Sequence, residues 1–352
     1  MTLTICIPTF NRAPKLGRTI TLLREQISGA GLQDRVSILV SDNASTDATA
    51  AVVAEAAALD DGVRIRYQCH ASNIGGCLNI LSLYEAAEGQ YVWIFSDDDV
   101  PFENAVVKVY AALGEVRPDL LLFSFVQPPG STVYPFQFPE PIHIESDPEQ
   151  CARWLMHHPK ISIYVFRKVE ISADLMDITR RLAQTCAYFG FNALGLSIFS
   201  TVKQPKVAII SEPLAGCDDE FSQGLRFTAP DWEAEARIVE HPFLIEHAPK
   251  WRAAIPRRSY VKAFWYLWAW RAGLIALDPS YEEQWWETLR GFRAQWQWLS
   301  HPPRQMVKFL AFKAAPGHLP RLMEPMISRA RHLVTAVKRR TRSGANGQGA
   351  ST

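Results

Sequence analysis

The chain has 352 residues, of which 48% are hydrophobic and 21% charged, a composition that is typical of folded proteins and excludes a mostly disordered chain. Its 37 Lys and Arg nearly balance 36 Asp and Glu, but residues 301–342 hold ten cations against one anion and leave a net charge of −8 on the rest. This split argues against a general nucleic-acid binder and predicts a local electrostatic role for the basic segment.

The first 125 residues alternate short apolar runs with segments of helical periodicity, as expected for a series of β-α-β units. The predicted strands are Thr2–Pro8, Val36–Val40, Val63–Tyr67, Tyr91–Phe95 and Leu120–Phe125. Helices are predicted between them: one from Pro14 with Leu16, Ile20, Leu23 and Ile27 on one face, one that is capped within Ser45–Asp47, one over residues 76–87 and one from Pro101. The pattern predicts an α/β fold with a doubly wound, mostly parallel, Rossmann-like sheet.

The second half of the chain is less regular. Residues 126–141 are rich in Pro and aromatic residues, and helices over 147–157 and 178–199 with strands at Ile161–Arg167 and Lys206–Ile210 are predicted after them. From about residue 230 the composition changes to a helical, Trp-rich region, with eight of the eleven Trp after residue 250. The last ten residues, 343–352, are small and polar and are expected to be disordered.

The cysteines and the apolar segments predict the cellular compartment of the protein. The six cysteines are scattered without any Cys-x-x-Cys pair, which favours free thiols in a reducing compartment over zinc binding or a disulfide framework. Met1–Ile5 enters a strand-like run with no basic leader, and the most apolar stretch, Phe264 to Leu277, is short and interrupted by Arg271. We therefore expect a cytoplasmic protein without a membrane-spanning helix.

Polar residues stand directly after the first four predicted strands, at the edge where open α/β sheets bind ligands. These segments are Pro8-Thr9-Phe10-Asn11-Arg12, Ser41–Asp47, Asn73-Ile74-Gly75-Gly76 and Ser96-Asp97-Asp98-Asp99. Taken singly, the first three are also consistent with ordinary turns. Three consecutive Asp are different, because like charges repel and the arrangement is costly unless a cation shares it. Carboxylates suit Mg²⁺ or Mn²⁺ completed by phosphate oxygens, so the triplet predicts such a metal site.

Four segments together resemble the family 2 glycosyltransferases of the GT-A fold, over roughly residues 1–125. These segments are Thr4–Asn11, Asp42–Asp47, Asn73–Gly76 and Ser96–Asp99. That family binds a nucleotide-diphosphate sugar at the strand ends and transfers the sugar with inversion. The resemblance implies roles for individual residues: Pro8, Thr9, Asn11 and Arg12 would cradle the nucleotide, Asp42 would accept a hydrogen bond from the base, and Asn73 and Gly75 would line the same pocket. Asp98 would face the ribose side of the donor, and Asp99 would hold the metal, helped by Asp97. The commoner family form has an Asp where this chain has Ser96.

The acceptor side of the resemblance is shorter. Ser162–Lys168 resembles the corresponding strand of abequosyltransferase-like members, which build bacterial O-antigen. Inverting members commonly place a Glu-Asp pair at the start of the acceptor-side helix, whereas this chain has Arg180-Arg181 there. The candidate general bases are Asp177, just before the predicted helix, and Asp218, Asp219 or Glu220 in a polar turn. A helix cap or a solvated turn also explains each of them, and the base stays open.

The basic segment has the pattern of an amphipathic helix. From Leu322 to Val337 apolar residues share one helical face, with Arg331, Lys338 and Arg339 opposite. Such a helix can lie on an anionic membrane, and the alternative is a helix that packs on the body of the protein.

The sequence thus predicts a metal-dependent glycosyltransferase at the inner face of the cell membrane. It would move a sugar from a nucleotide-sugar donor to a glycan or lipid-linked oligosaccharide acceptor in bacterial surface polysaccharide synthesis. Residues 1–125 would bind the donor and 126–230 the acceptor within the same domain, 231–342 would form the helical region with its basic tail, and 343–352 would be disordered. One alternative is a nucleotidyltransferase, disfavoured because no Gly-rich basic loop follows the first strand; the other is an inactive protein that binds sugar nucleotides or partner chains.

Overall fold

The computed structural model describes residues 1–126, 136–156, 160–184, 190–217 and 238–253. Its strands are β1 (Leu3–Thr9), β2 (Val36–Asp42), β3 (Ile65–Cys69), β4 (Tyr91–Ile94), β5 (Asp99–Pro101), β6 (Leu120–Val126), β7 (Ile142–Glu145), β8 (Val165–Arg167) and β9 (Val207–Cys217). Its helices are α1 (Ala13–Gly29), α2 (Thr49–Ala57), α3 (Gly76–Ala86), α4 (Ala105–Val116), α5 (Pro148–Leu155), α6 (Ala173–Gln184), α7 (Gly190–Ser200) and α8 (Pro242–His247). Short 3₁₀ turns cover Ile161–Ile163 and Ile238–Glu240.

All nine of these strands belong to one sheet, in the order β3-β2-β1-β4-β8-β6-β9-β5, with β7 paired to β9. β1 is parallel to β2 and β4, β2 is parallel to β3, and β6 is parallel to β9. β8 runs antiparallel to both β4 and β6, so β6 and β9 point the same way as β1 to β4. The carboxyl ends of these six strands therefore meet at one edge of the sheet, here called the carboxyl edge. The predicted α/β fold with a mostly parallel sheet is confirmed.

Apolar residues of the strands and helices form one core around this sheet. Leu16, Ile20, Leu23 and Ile27 of α1 are each fully buried, which confirms the predicted face of that helix. Each such side chain contributes roughly 1.5–3 kcal/mol when it leaves water. Trp93 in β4 is also fully buried, and its indole N–H donates to the Ser162 carbonyl at 2.8 Å. This bond fixes the segment before β8 against β4, next to the carboxyl edge.

Several predicted elements differ from the structure. The helix predicted from Pro101 begins at Ala105 instead, because Asp99–Pro101 forms β5 and pairs antiparallel with the end of β9. Within the described residues, the helix predicted over 178–199 corresponds to α6, which begins five residues earlier, and to α7, and residues 185–189 lie outside the described ranges. The first three residues of the strand predicted at Ile161–Arg167 form a 3₁₀ turn, and the last strand extends to Cys217. The differences at Asp99–Pro101 and in the last strand involve pairing with residues far away in the chain.

A buried chain of hydrogen bonds links α6, α7 and α8. The His241 side chain accepts from the Phe243 N–H at 3.2 Å through Nδ1, so its proton is on Nε2, which lies 3.0 Å from the Ser197 hydroxyl. Ser197 and Thr179 hydroxyls are 2.7 Å apart, and Thr179 donates to the Leu175 carbonyl. Each group has a partner only while His241 is neutral. Burial accordingly lowers the pKa of His241 to about 4.

The described residues also bear on the predictions about the cysteines and about membrane-spanning helices. The five cysteines within the described ranges are free thiols, as predicted. In the part of the chain that the structure describes, no helix is long and apolar enough to cross a bilayer. The predicted Trp-rich region beyond residue 253, the basic tail and the small polar end of the chain lie outside the described residues.

Candidate functional site

Side chains from the loops after β1 and β2 bind the backbone of each other's loop. Asn11 adopts a positive φ of 52°, which Asn tolerates better than most residues. Its Oδ1 accepts from the Thr46 N–H at 2.8 Å, and its own N–H donates to the Ser45 hydroxyl at 2.8 Å. Asp47 accepts from the N–H of Ala13 at the start of α1 at 3.0 Å. Asn11, predicted to cradle a nucleotide, therefore also holds the two loops together.

The loop after β3 joins them through a pair of asparagines. Asn43 donates from Nδ2 to Asn73 Oδ1 at 2.8 Å and accepts from the Ile74 N–H at 2.8 Å. Asn73 Oδ1 also accepts from the Gly75 N–H at 2.9 Å, and Gly75 has a φ of 87° directly before α3, a conformation that favours glycine. These contacts use only the oxygen of the exposed Asn73 side chain, whose Nδ2 donors can face a ligand.

Asp42 lies at the end of β2 with its carboxylate buried. Its Oδ1 accepts from the Ser45 N–H at 2.8 Å, and its Oδ2 accepts from the Tyr67 hydroxyl at 2.6 Å. Burial of the Tyr67 hydroxyl and its bond to Asp42 raise the pKa of Tyr67. Tyr67 as a residue is nonetheless 38% exposed, and Phe10, beside Asn11, is 42% exposed. Sequence reasoning missed both rings as site residues, although an aromatic residue near the carboxyl end of a strand was a visible signal.

The first two carboxylates of the acidic triplet share one arginine. Asp97 Oδ2 accepts from the Thr9 hydroxyl at 2.7 Å, and Asp97 Oδ1 accepts from Arg12 Nη1 at 3.0 Å. The same Nη1 donates to Asp98 Oδ2 at 2.8 Å, while Asp98 Oδ1 accepts from the Ser96 hydroxyl at 2.6 Å. Burial raises the pKa of Asp97, and the Arg12 guanidinium opposes that shift. In the structure, a protein cation thus lies between two of the three like charges.

The third carboxylate contacts two residues that directly precede β8. Asp99 Oδ2 accepts from the Ser162 hydroxyl at 2.5 Å, and its Oδ1 lies 3.8 Å from the Lys160 ammonium. Burial raises the pKa of Asp99 to about 6, although the charge of Lys160 favours the ionised form. The Lys160 ammonium also lies 5.0 Å from the centre of the Phe125 ring. Sequence reasoning missed Lys160 and Ser162, because only the antiparallel direction of β8 brings the residues before it to the carboxyl edge.

Helix α1 holds the triplet segment along one of its faces. The Thr19 hydroxyl lies 3.2 Å from the carbonyl oxygens of both Asp97 and Asp99. Gln26 donates to the Phe102 carbonyl at 3.0 Å, and its Oε1 accepts from the Val106 N–H at 3.0 Å. Thr19 and Gln26 are seven residues apart, two helical turns, and therefore face the same direction. Helix α1 therefore holds the backbone from the acidic triplet to the start of α4 in place.

The structure does not bring Asp177 to this site. Its side chain is 73% exposed on α6 and lies 3.7 Å from Arg180, which also pairs with Glu85 near the end of α3. Because β8 runs away from the carboxyl edge, α6 begins near the opposite edge of the sheet. Asp218 and Asp219 lie outside the described residues. The described segment before them ends at Cys217, which pairs with Asp99 in the sheet.

A divalent ion fits this site only in part. No group of three His, Cys, Asp or Glu side chains in the described ranges could hold a metal ion alone. Each oxygen of the triplet already contacts a protein donor, and the Asp97 and Asp99 side chains are only 4% and 3% exposed. Asp98 is 20% exposed. Because Mg²⁺ usually takes one or two carboxylates together with waters and substrate phosphates, Asp98 fits such an ion and a three-carboxylate cage does not.

Comparisons with known proteins bear on the sequence of residues 4–169 and on the fold. Residues 4–169 match the family described as Glycosyl transferase family 2. Abequosyltransferase RfbV of Salmonella typhimurium is 32% identical over 112 residues, which cover 31% of this chain and 32% of the relative, so the match spans about a third of that protein's length. S. aureus TarS 1–349 superposes with a TM-score of 0.52 at 16% identity, over 83% of this chain and 80% of that chain. Its complex with UDP-GlcNAc gives a TM-score of 0.51 at the same identity and coverage.

The structural matches show the fold, and the family match covers the four polar segments at the carboxyl edge. The sheet, the order of those segments and the sequence match lead to one assignment. Residues 4–169 match glycosyl transferase family 2 in sequence, and the described sheet has the GT-A fold.

Proposed function

We propose that this protein transfers a sugar from a nucleoside diphosphate sugar to a hydroxyl group of a glycan or lipid-linked glycan, with inversion at the anomeric carbon. One observation carries the proposal. Within the family-matched residues, the acidic triplet and the loops after β1, β2 and β3 lie at one edge of the sheet and are joined by hydrogen bonds. That edge presents aromatic rings, hydrogen-bonding groups and cations, which are the groups that a base, a ribose and a diphosphate require.

The donor is recognised along this edge in three parts. The exposed rings of Phe10 and Tyr67 offer apolar faces for the base, and the buried Asp42 carboxylate offers a hydrogen-bond acceptor beside Tyr67. The Asn73 amide adds donors. The Arg12 guanidinium, which is 48% exposed, supplies positive charge for the diphosphate. The complex of TarS with UDP-GlcNAc supports a nucleotide-sugar donor of this kind.

A divalent ion, Mg²⁺ or Mn²⁺, is proposed at Asp98. This is one residue before the ligand predicted from the sequence, because Asp99 is buried against Ser162 and Lys160. When bound, such an ion would neutralise the negative charge that grows on the departing nucleoside diphosphate. Asp97 and Asp99 then keep the loop in shape, through Thr9 on one side and Ser162 on the other.

The chemical step requires a base on the acceptor side. The acceptor hydroxyl oxygen forms a bond to the anomeric carbon as the bond to the β-phosphate oxygen breaks, and the hydroxyl proton passes to a carboxylate. Asp218 and Asp219 are proposed for this role, because they directly follow Cys217, which pairs with Asp99 at the carboxyl edge. Asp177 is no longer proposed.

The biological setting is proposed from the relative and from the charge of the tail. The identity to an abequosyltransferase supports work on a bacterial surface polysaccharide such as O-antigen. An acceptor on a lipid carrier would lie at the inner leaflet, and the ten cations over residues 301–342 would attract the protein to its anionic surface.

Calorimetry on the purified full chain tests the donor site. UDP, CDP, GDP, ADP and dTDP are titrated with Mn²⁺ present, and the sugar nucleotide of the tightest binder is then assayed for slow hydrolysis. We expect binding of at least one diphosphate and sugar release that Asp218→Asn or Asp219→Asn reduces. Absence of binding by all five would refute the proposed function. Release of pyrophosphate from a nucleoside triphosphate and a sugar phosphate would indicate a nucleotidyltransferase instead.

A further inference from the structure

One nitrogen of Arg12 bridges two carboxylates that differ in their surroundings. Nη1 lies 3.0 Å from Asp97 Oδ1 and 2.8 Å from Asp98 Oδ2. Asp97 is almost fully buried and is also held by the Thr9 hydroxyl, whereas the Asp98 side chain is 20% exposed. Arg12 is 48% exposed and lies just before α1. The contact between Arg12 and Asp98 is therefore the most accessible part of the acidic site.

We infer that Arg12 is an exchangeable counter-cation. It neutralises Asp98 in the ligand-free protein, and it moves from Asp98 to the diphosphate of the donor when a divalent ion binds that carboxylate. The inference rests on the proposed function, and it concerns how the two ligands of that site depend on each other.

The exchange follows from charge and space. A guanidinium 2.8 Å from Asp98 Oδ2 occupies the oxygen that a divalent ion would coordinate, and the two cations repel each other at such distances. The side chain of Arg12 is long and half exposed, so it can turn away while Asp97 stays fixed by Thr9. A diphosphate is its natural new partner, because the planar guanidinium fork matches phosphate oxygens in pairs.

This arrangement couples the two binding events. A metal ion that arrives alone must break the Arg12–Asp98 pair without any new partner for the guanidinium. A nucleoside diphosphate provides that partner, so each ligand should increase the affinity of the other by the same factor. The free protein should consequently bind the metal weakly, and removal of the guanidinium should strengthen metal binding while it weakens nucleotide binding.

The test measures Mn²⁺ binding by the loss of the free-ion electron paramagnetic resonance signal, in the full-length wild type and in Arg12→Gln. Arg35→Gln is the matched control, because Arg35 is exposed just before β2, at the opposite edge of the sheet, and its loss changes the net charge equally. Without nucleotide, we expect Arg12→Gln to bind Mn²⁺ about tenfold more tightly than the wild type, the effect of one lost hydrogen bond between charged groups. Arg35→Gln should match the wild type.

A second set of titrations adds UDP, CDP, GDP, ADP or dTDP. The wild type should gain Mn²⁺ affinity with the diphosphate that it binds, and Arg12→Gln should gain much less. Unchanged or weaker Mn²⁺ binding by Arg12→Gln, in a wild type that does bind a diphosphate, would overturn the exchange and leave the proposed function standing. A wild type that binds Mn²⁺ but none of the diphosphates would overturn both.

Discussion

Substitution of Asp98 and of Asp99 by Asn should separate metal binding from stability. Asp99 is 3% exposed, accepts a 2.5 Å hydrogen bond from Ser162 and lies 3.8 Å from the Lys160 ammonium. Asparagine keeps the shape but removes the charge that offsets Lys160 in a buried setting. Loss of one member of a buried charged pair typically costs 3–5 kcal/mol, and because Lys160 is 20% exposed we expect about 2–4 kcal/mol for Asp99→Asn.

Asp98→Asn should behave in the opposite way. Its partner Arg12 is 48% exposed, and pairs of this kind contribute about 0–1 kcal/mol to stability. The variant should therefore unfold close to the wild type. Since the substitution removes the proposed metal ligand, Mn²⁺-dependent binding of a nucleoside diphosphate should fall about tenfold or more, the effect of about 1.4 kcal/mol or more.

Urea unfolding followed by circular dichroism measures the first effect, and calorimetry with Mn²⁺ or with EDTA measures the second. If Asp99→Asn unfolds like the wild type but has lost Mn²⁺-dependent binding of the nucleoside diphosphate, then Asp99 is the metal ligand, as the sequence alone predicted. Asp98→Asn with full Mn²⁺-dependent binding would refute the assignment to Asp98.

Three further predictions concern other parts of the chain. Burial lowers the pKa of His241 from 6.5 to about 4, so between these pH values the unfolded chain binds one more proton than the folded chain. The free energy of unfolding should therefore fall by about 1.4 kcal/mol for each pH unit as the pH drops from 6.5 to 4. His241→Gln should remove that part of the pH dependence, measured by urea unfolding against the wild type. Asp42→Ala should weaken nucleotide binding by about 1–3 kcal/mol and Tyr67→Phe by less, measured by calorimetry, and equal affinities would make Asp42 a loop residue only. Truncation after Pro320 should abolish binding to anionic liposomes in a flotation assay at low salt but keep donor binding, and equal flotation of both proteins would contradict a membrane-binding tail.

Local sequence patterns were sufficient for the elements that carry their own periodicity. The apolar face of α1 could be predicted because Leu16, Ile20, Leu23 and Ile27 repeat with the period of a helix, and all four are buried. The place of the polar segments followed from one rule, that loops after parallel strands share an edge. For this reason Asp42, Asn73 and the acidic triplet were expected at one edge, where the structure has them.

Sequence patterns were insufficient where distant residues decide the structure. Asp99–Pro101 looked like a helix start, but its pairing with the end of β9 makes it a strand, and nothing within that tripeptide encodes a partner more than a hundred residues away. The same applies to Lys160 and Ser162, which reach Asp99 only because β8 is antiparallel to its neighbours. The sequence predicted that a metal ion neutralises the acidic triplet. In the structure the Arg12 guanidinium also contacts the triplet, and the spacing of residues along the chain does not reveal this contact.

The contacts of the triplet also indicate how the site would respond to ligands. Its six oxygens are held by Thr9, Arg12, Ser96, Lys160 and Ser162, and Thr19 supports its backbone, so the loop keeps its shape without a ligand. A site that is ordered beforehand loses little conformational entropy on binding. Among those five donors Arg12 is the most exposed, while Thr9 and Ser162 are buried. Rearrangement on donor binding should consequently be concentrated in the Arg12 side chain, and the rigid remainder can hold the diphosphate oriented for displacement by the acceptor.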